Sequence, residues 1–525
     1  MRRFSTHQNE TPEDVSSGVS FWAQSGILGG KGGGEMEYVP RHGEKKPLYD
    51  LPLSPESLGT VFARCADYAT REISLAGGGR AVVCWVEGLV RNERLNDYVL
   101  RPLITGPVPG GKSGPENVLS GGVWNLNAKP GRTLDETAAE LLNGSCAVFL
   151  PGGVVTCAVP TEEKRAVESP ENETELKGAQ DSFVESARTP ASLVRRRLKS
   201  AKVKLTEIKV GRTSRTAVDV FWVEGVTNPE LVRQVEDRVR DMDIDALLGA
   251  ADIEEYLVDS RRTVFPRVLF TERPDRFCRG LMDGQVGVLA DGIPMGCLLP
   301  CGLSQFLRAP QDRSYHWLFA DLLILLRYAC LAVTVLLPGF YIAMAGFHLQ
   351  MIPTQLALSV IASKKDVPFS IQFEVLLMLL AFEVLQEAGL RLPRTIGQSV
   401  SIIGALVVGQ AAVEAKIISP AVIIVVAAAG MAGFTMPSQD FANGLRVWRF
   451  LAAIGGSLAG LFGLVMVLIA LIYQLARQEC LGLPYLSPST PGTGAGGGEW
   501  VLRGPMPSVK LRDLALRPLE KRRQR

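Results

Sequence analysis

Histidine is nearly missing from this 525-residue chain. The four present, His7, His42, His316 and His348, are too few and too dispersed for a metal cluster. The same scarcity leaves no Ser/His/Asp or Cys/His set for nucleophilic catalysis, so neither an enzyme nor a cofactor is expected. The nine cysteines make no paired framework; several sit in apolar contexts (Cys84, Cys146, Cys330), as reduced thiols of a cytosol-facing domain do. Cys297 and Cys301 stand four apart without a second pair or a nearby histidine, which argues against a metal site. Residues 1–40 lack the apolar core of a signal peptide, so the N-terminal half is expected to stay on the side where it is made. Before about Tyr315 no apolar run is long enough to cross a bilayer, and the net charge of +2 says little about partners.

What is present is segregation. From Trp317 to Leu475 apolar residues form runs that match the roughly 20 residues a spanning helix needs. Five are predicted, at Leu318 to Phe347, Phe369 to Ala388, Ile396 to Ala412, Ile417 to Pro437 and Phe450 to Leu475. A sixth, Ile352 to Ser363, is short enough to suit a re-entrant or interfacial helix. Arg391, Arg394, Arg446 and Arg449 suit cytoplasmic loops under the positive-inside rule. Five spans would then leave the tail outside. Residues Arg503 to Arg525 carry eight Lys/Arg against Asp513 and Glu520, a charge of +6 that reads either as a solvated disordered tail or as a patch for anionic lipid.

The soluble half is duplicated. Ala81 to Leu89 (AVVCWVEGL) matches Ala217 to Val226 (AVDVFWVEGV), and Leu141 to Pro160 matches Leu281 to Pro300. Each pair reads as strand, Trp-Val-Glu-Gly turn and helix, followed by a hairpin of two apolar strands. The expected architecture is an α/β N-terminal region of two duplicated subdomains followed by an all-α polytopic transmembrane domain. Its parts are a disordered extension over 1–50, subdomain 1 over 51–165, a linker helix and subdomain 2 over 166–315, a transmembrane domain over 316–478 and a basic tail over 479–525. The linker helix presents Arg195, Arg196 and Arg197 as a solvated face or as a cytoplasmic contact for a partner or lipid headgroups.

Gly106 to Ser113 (GPVPGGKS) satisfies the Walker A pattern. Its context opposes a nucleotide site: the preceding residues read as helix, and Pro107 and Pro109 remove amides that would bind phosphate. In the apolar half Glu374, Glu383 and Glu387 share one run, and intramembrane carboxylates are costly unless paired or hydrated. Glu383 and Glu387 share a helical face, with Glu374 on the opposite one. They line a water-filled pathway or an intersubunit contact, or else mark a helix end in headgroup water. Glu414 and Lys416 are expected at an interface. Gly404 and Gly409 permit close helix packing, or a gate.

Several segments together resemble the GerA family of spore germination proteins, A-subunit branch. They are Asp181 to Ser186 (DSFVES), Leu193 to Ser200 (LVRRRLKS), Thr271 to Asp275 (TERPD), His348 to Thr354 (HLQMIPT), Gln386 to Pro393 (QEAGLRLP), Ile396 to Gln410, Ala411 to Pro420 and Pro484 to Pro488 (PYLSP). The resemblance implies a cytoplasmic two-subdomain region attached to the spore inner membrane, acting in a nutrient receptor with a transporter-like B subunit and a lipoprotein C subunit. It further implies a homo-oligomer in contact with membrane lipid, whose helices form a ligand-gated ion channel; nucleic acid is not among its partners. A non-conducting assembly subunit and an auxiliary channel component of sporulation are the alternatives. The chain departs from the family pattern at Leu379, where Glu is usual, and at Gln386, where Arg is usual, as well as at Ser370 (usually Pro) and Lys416 (usually Gly).

Overall fold

A computed structural model describes residues 49–76, 78–106, 114–161, 170, 173, 177–186, 188–258, 263–391, 409–487 and 502–524. The N-terminal extension, apart from Tyr49 and Asp50, lies outside them, as do Pro107 to Ser113 of the Walker-like segment, Arg394 and Gly404.

Two five-stranded sheets form the soluble module. The first holds β1 (Tyr68–Ser74), β2 (Arg80–Val86), β3 (Ala128–Gly131), β4 (Ser145–Leu150) and β5 (Gly153–Ala158) in the order β1-β2-β4-β5-β3. The second holds β6 (Val203–Val210), β7 (Thr216–Val223), β8 (Leu269–Thr271), β9 (Val286–Ala290) and β10 (Gly296–Leu299) in the order β6-β7-β9-β10-β8, the same topology shifted by five. Both repeat pairs read in the sequence fall on corresponding strands. Every pairing within the two sheets is antiparallel, so helices and strands mix without the parallel sheet of βαβ units.

The central strands explain their unbroken apolar sequences. In β4, Cys146, Val148 and Leu150 pack on one face with Leu95, Val99 and Leu103, while Ala147 and Phe149 pack on the other with Leu134 and Leu141. In β9, Val286, Val288 and Ala290 meet Val232, Val235 and Val239 of helix Pro229–Arg240, and Leu289 faces Phe277 and Leu281 of helix Pro274–Asp283. A strand covered on both faces has no polar side to show. Each Trp-Val-Glu-Gly turn ends on a glycine in the left-handed region, Gly88 at φ 77° and Gly225 at φ 80°, where a Cβ would be strained.

The apolar half opens with helix Trp317–Phe347, followed by Thr354–Lys364, Ile371–Arg391, Pro420–Gly433 and Gln439–Arg477. Among the described residues two helices are long and apolar enough to cross a membrane, Trp317–Phe347 and Gln439–Arg477. Of the five predicted spans, Ile396 to Ala412 lies largely outside the described residues, and the helices at Phe369 to Ala388 and Ile417 to Pro437 do not meet that test of length and composition. Only 22% and 17% of the most apolar windows of Trp317–Phe347 and Gln439–Arg477 is buried, which sets them apart from the core helices of a soluble protein.

Gln439–Arg477 is not one rod, and this corrects the predicted single span over Phe450 to Leu475. Its backbone leaves helical geometry at Ala459 (φ −138°, ψ 22°) and Gly460 (φ 58°, ψ −137°). Straight, 39 residues would extend about 58 Å at about 1.5 Å per residue. Instead both ends return to one aromatic cluster: Phe441 and Tyr485 each lie against Phe265 and Phe306, with ring centroids 5.7 to 6.4 Å apart. A Cβ at Gly455 would stand 2.6 Å from Val467 Cγ2, a contact possible only across a reversal. The element is a helical hairpin that leaves the soluble module and comes back to it.

The other described helices run both away from the module and back toward it. Trp317–Phe347 leads away from the module, and a Cβ on Gly346 near its far end would lie 3.2 Å from Gln372, at the start of Ile371–Arg391. That helix returns toward the hairpin root, where Glu383 meets Arg449. Pro420–Gly433 returns as well, from Ser419 beside Glu374 to Gly433 beside Thr334.

After the hairpin, residues 502–524 dock on subdomain 2 and on the root of the first apolar helix. Leu519 N–H donates to Val226 O at 2.9 Å, and Arg523 reaches Asp283 Oδ1 at 2.5 Å. Arg503 donates to Asp312 O at 2.6 Å and to Tyr315 O at 2.8 Å from its guanidinium, and to Asp321 Oδ1 at 2.7 Å from its amide. This corrects the reading of a solvated disordered tail: several of its arginines find carbonyls and carboxylates of the chain itself.

Candidate functional site

The two subdomains are locked by buried charge. Arg195 is fully buried; its Nε and Nη2 donate to Asp67 at 2.7 and 2.8 Å, and Nη1 donates to Val203 O at 2.6 Å. This corrects its assignment to a solvated face. A guanidinium removed from water needs a paired, hydrogen-bonded acceptor, and the bidentate carboxylate of Asp67 in subdomain 1 supplies it. Arg196 is half-buried, and Arg197 pairs with Asp181 near the surface. Around the lock, Lys204 Nζ donates to Val61 O at 2.9 Å, the Arg64 guanidinium lies 4.4 Å from the Trp222 ring centroid, and Leu205 bonds the backbone of Arg64 and Ala66. Sheet 1 and sheet 2 thereby meet through backbone as well as side chains.

Subdomain 2 is joined in turn to the helices. Phe183 N–H and Ser182 Oγ donate to Glu272 O at 2.8 and 3.2 Å, bringing the DSFVES and TERPD segments together. Arg273 is fully buried and bidentate on Asp275, at 3.0 and 2.8 Å. At the root of the first apolar helix Arg327 grips Asp312 with two bonds of 2.6 and 2.8 Å and donates to Leu307 O. Tyr485 of the PYLSP segment accepts from Leu303 N–H at 2.7 Å. Phe265, Phe306, Phe441 and Tyr485 belong to one buried core with Phe277 and Leu289 of subdomain 2 and Ala452, Leu464 and Leu471 of the hairpin. Soluble module and helices therefore share a continuous interior.

Inside the helical bundle the three glutamates take separate places. Glu374 is fully buried; Oε2 accepts Ser419 N–H at 2.9 Å, and Lys364 Nζ lies 3.9 Å from Oε1. It sits at the positive N-terminal end of helix Pro420–Gly433, where a carboxylate is stabilised by unpaired amides and the helix dipole. Glu383 pairs with Arg449 and lies 3.6 Å from Arg446. Both arginines are on the hairpin's first arm, which corrects their assignment to loops: a half-buried carboxylate facing them makes helix positions tenable. Glu387 is exposed. Lys416 pairs with Asp366 at 2.6 Å, away from the module.

Gly409 is buried, yet a Cβ there would meet only Ile423 Cγ2 at 3.9 Å, an ordinary contact. The close approach lies elsewhere: a Cβ at Gly456 would stand 2.5 Å from Gly339 O. On the near side of the Walker-like segment, helix Arg101–Thr105 runs into Gly106, where a phosphate loop would need a strand.

A bundle so apolar and so little buried, with a two-sheet module rooted on it, is the pattern of a membrane protein carrying a fused α/β module. Comparison of the sequence narrows that class. The profile of the Bacillus/Clostridium GerA spore germination protein family matches residues 56–514, and the chain belongs to that family. It is 33% identical over 454 residues to the uncharacterized membrane protein YfkQ of Bacillus subtilis (84% of this chain, 88% of that protein). It is 31% identical to spore germination protein KA (84% and 82%) and 33% identical to spore germination protein A1 (69% and 76%), both of the same organism. Among solved structures, the N-terminal domain of the A subunit of the Bacillus megaterium spore germinant receptor GerK3 aligns at 21% identity and a TM-score of 0.35, over 46% of this chain and 91% of that one.

Proposed function

We propose that this chain is the A subunit of a spore germinant receptor, held in the spore inner membrane with its soluble module on the cytoplasmic side. Its partners are a transporter-like B subunit, a lipoprotein C subunit, further copies of itself and membrane lipid. A nutrient-driven displacement of the module moves the hairpin, and the bundle passes ions. Family membership supports the receptor role, and one observation carries the coupling: the interior running from Phe277 through Phe306 and Phe441 to Leu464 leaves no slack between module and hairpin. Counting the two hairpin arms separately, with the predicted run 396–412 as a further crossing, gives six crossings and returns the tail to the module's side.

A second reading, a non-conducting assembly subunit, is favoured by the glutamates. Glu374 and Glu383 each face a partner within the chain, Ser419 and Lys364 for the first and Arg449 for the second, and fully buried Leu379 stands where the family usually has Glu. Spores with and without the gene separate the two readings. Nutrient-triggered cation release that is lost without this chain, and that changes its ion selectivity in a Glu383→Gln variant, supports the channel subunit. Release of unchanged selectivity in every bundle variant that still assembles leaves the assembly role.

A further inference from the structure

A cavity of about 320 Å³ opens where three segments meet: helix Pro274–Asp283, residues 304–314 leading to the first apolar helix, and the docked tail. Its wall carries five arginines against three aspartates. Arg276 is committed to Glu173 and to the carbonyls of Gln305 and Arg308, and Asp275 to Arg273. Asp283 is shared between Arg523 at 2.5 Å and Arg279 at 4.0 Å. Asp513 Oδ1 accepts Ala515 N–H at 3.0 Å. Arg308 and Arg313 complete a wall whose balance is positive, in a cleft partly shielded from water where such an excess concentrates anions.

The lining contains no aromatic ring, so a nucleobase or aromatic ligand has nothing to stack on. The volume is at the small end of the roughly 300–1,000 Å³ typical of ligand sites. Guanidinium groups from separate segments match the oxygens of a phosphate, which accept forked N–H pairs. We infer that this cavity binds a small soluble oxyanion of the phosphate class, held by Arg279, Arg308 and Arg313 and closed over by the tail through Leu511, Asp513 and Arg523.

Because the tail supplies part of the wall, occupancy and docking are linked. A ligand that binds only the docked form makes tail opening about a hundredfold rarer at a hundredfold excess over its Kd. The site thus extends the proposed receptor role without depending on it: a soluble oxyanion would set how firmly the module is clasped to the first apolar helix.

The test uses the full chain in detergent, titrated calorimetrically with inorganic phosphate and with glycerol 3-phosphate at matched ionic strength. Saturable binding that weakens at least about tenfold in Arg308→Gln/Arg313→Gln and tightens in Asp513→Asn supports the site. Circular dichroism and thermal unfolding confirm that each variant is folded. Absence of binding beyond that of chloride, or equal binding in folded wild-type and double-variant chains, overturns it. So does competition by phosphatidylglycerol vesicles, but not by glycerol 3-phosphate, because the ligand would then be a lipid headgroup.

Discussion

Arg195 and Asp67 stand 128 positions apart, which is why a basic stripe on the linker helix gave no hint that one of its arginines turns inward. Spacing identifies a face; the acceptor that lets a cation leave water is a tertiary fact. Arg195→Ala would strand the Asp67 carboxylate in the interior, at a cost of about 3–5 kcal/mol. Arg195→Lys would recover little of it, because an ammonium cannot grip both carboxylate oxygens and Val203 O at once. Denaturant unfolding of the purified full chain measures both, and Arg197→Ala, at the surface pair, should shift it by less than about 1 kcal/mol. Asp513 gives a pH-dependent counterpart. Burial pushes its carboxyl above the ordinary range, against the Ala515 hydrogen bond and the Arg308 charge, with Asp283 adding to the rise. The docked state therefore binds the proton more tightly than the free one, and docking weakens as pH climbs from the ordinary aspartate value through the raised one. Asp513→Asn keeps a side-chain oxygen for Ala515 and removes the charge. Its tail should exchange amide hydrogens more slowly than wild type at about pH 8 and equally at about pH 3, after correction for intrinsic rates.

At the scale of elements, the duplicated sheets were legible because two-face burial writes unbroken apolar strands and each strand-to-helix turn repeats Trp-Val-Glu-Gly. The helical hairpin was not. Phe450 to Leu475 reads as one apolar run, and hydropathy does not weigh Gly455, Gly456 and Gly463, which surround the reversal at Ala459 and Gly460, the latter at φ 58°. Glycine spacing in the neighbouring run likewise drew attention to Gly404 and Gly409, while the contact that matters joins Gly339 to Gly456. Alanine substitution separates these cases by sign. In a helix Gly→Ala ordinarily contributes about 1 kcal/mol, so Gly409→Ala should be neutral or stabilising. Gly456→Ala must push a methyl to 2.5 Å from a backbone carbonyl, and Gly460→Ala must hold a backbone conformation costing about 1–3 kcal/mol. Both should lower the thermal unfolding midpoint of the detergent-solubilised chain.

For the molecule as a whole, the return of the hairpin predicts a parity under the proposed membrane topology: module and tail on one side, residues around Lys365 on the other. The native cysteines are buried or half-buried, so single introduced thiols report cleanly. Glu72→Cys and Glu520→Cys should react with a membrane-impermeant maleimide from the same side, and Lys365→Cys only from the opposite one. Labelling of Glu520→Cys together with Lys365→Cys would refute the hairpin. The docked tail also sets an order of assembly. Residues 502–524 are synthesised after every helix of the bundle, yet they close on Val226, Asp283, Asp312 and Asp321, made some 200 to 300 residues earlier. The clasp on the module can therefore close only after the hairpin has brought its second arm back. A chain whose last arm fails to return would keep its tail off subdomain 2, so a docked tail marks a completed hairpin.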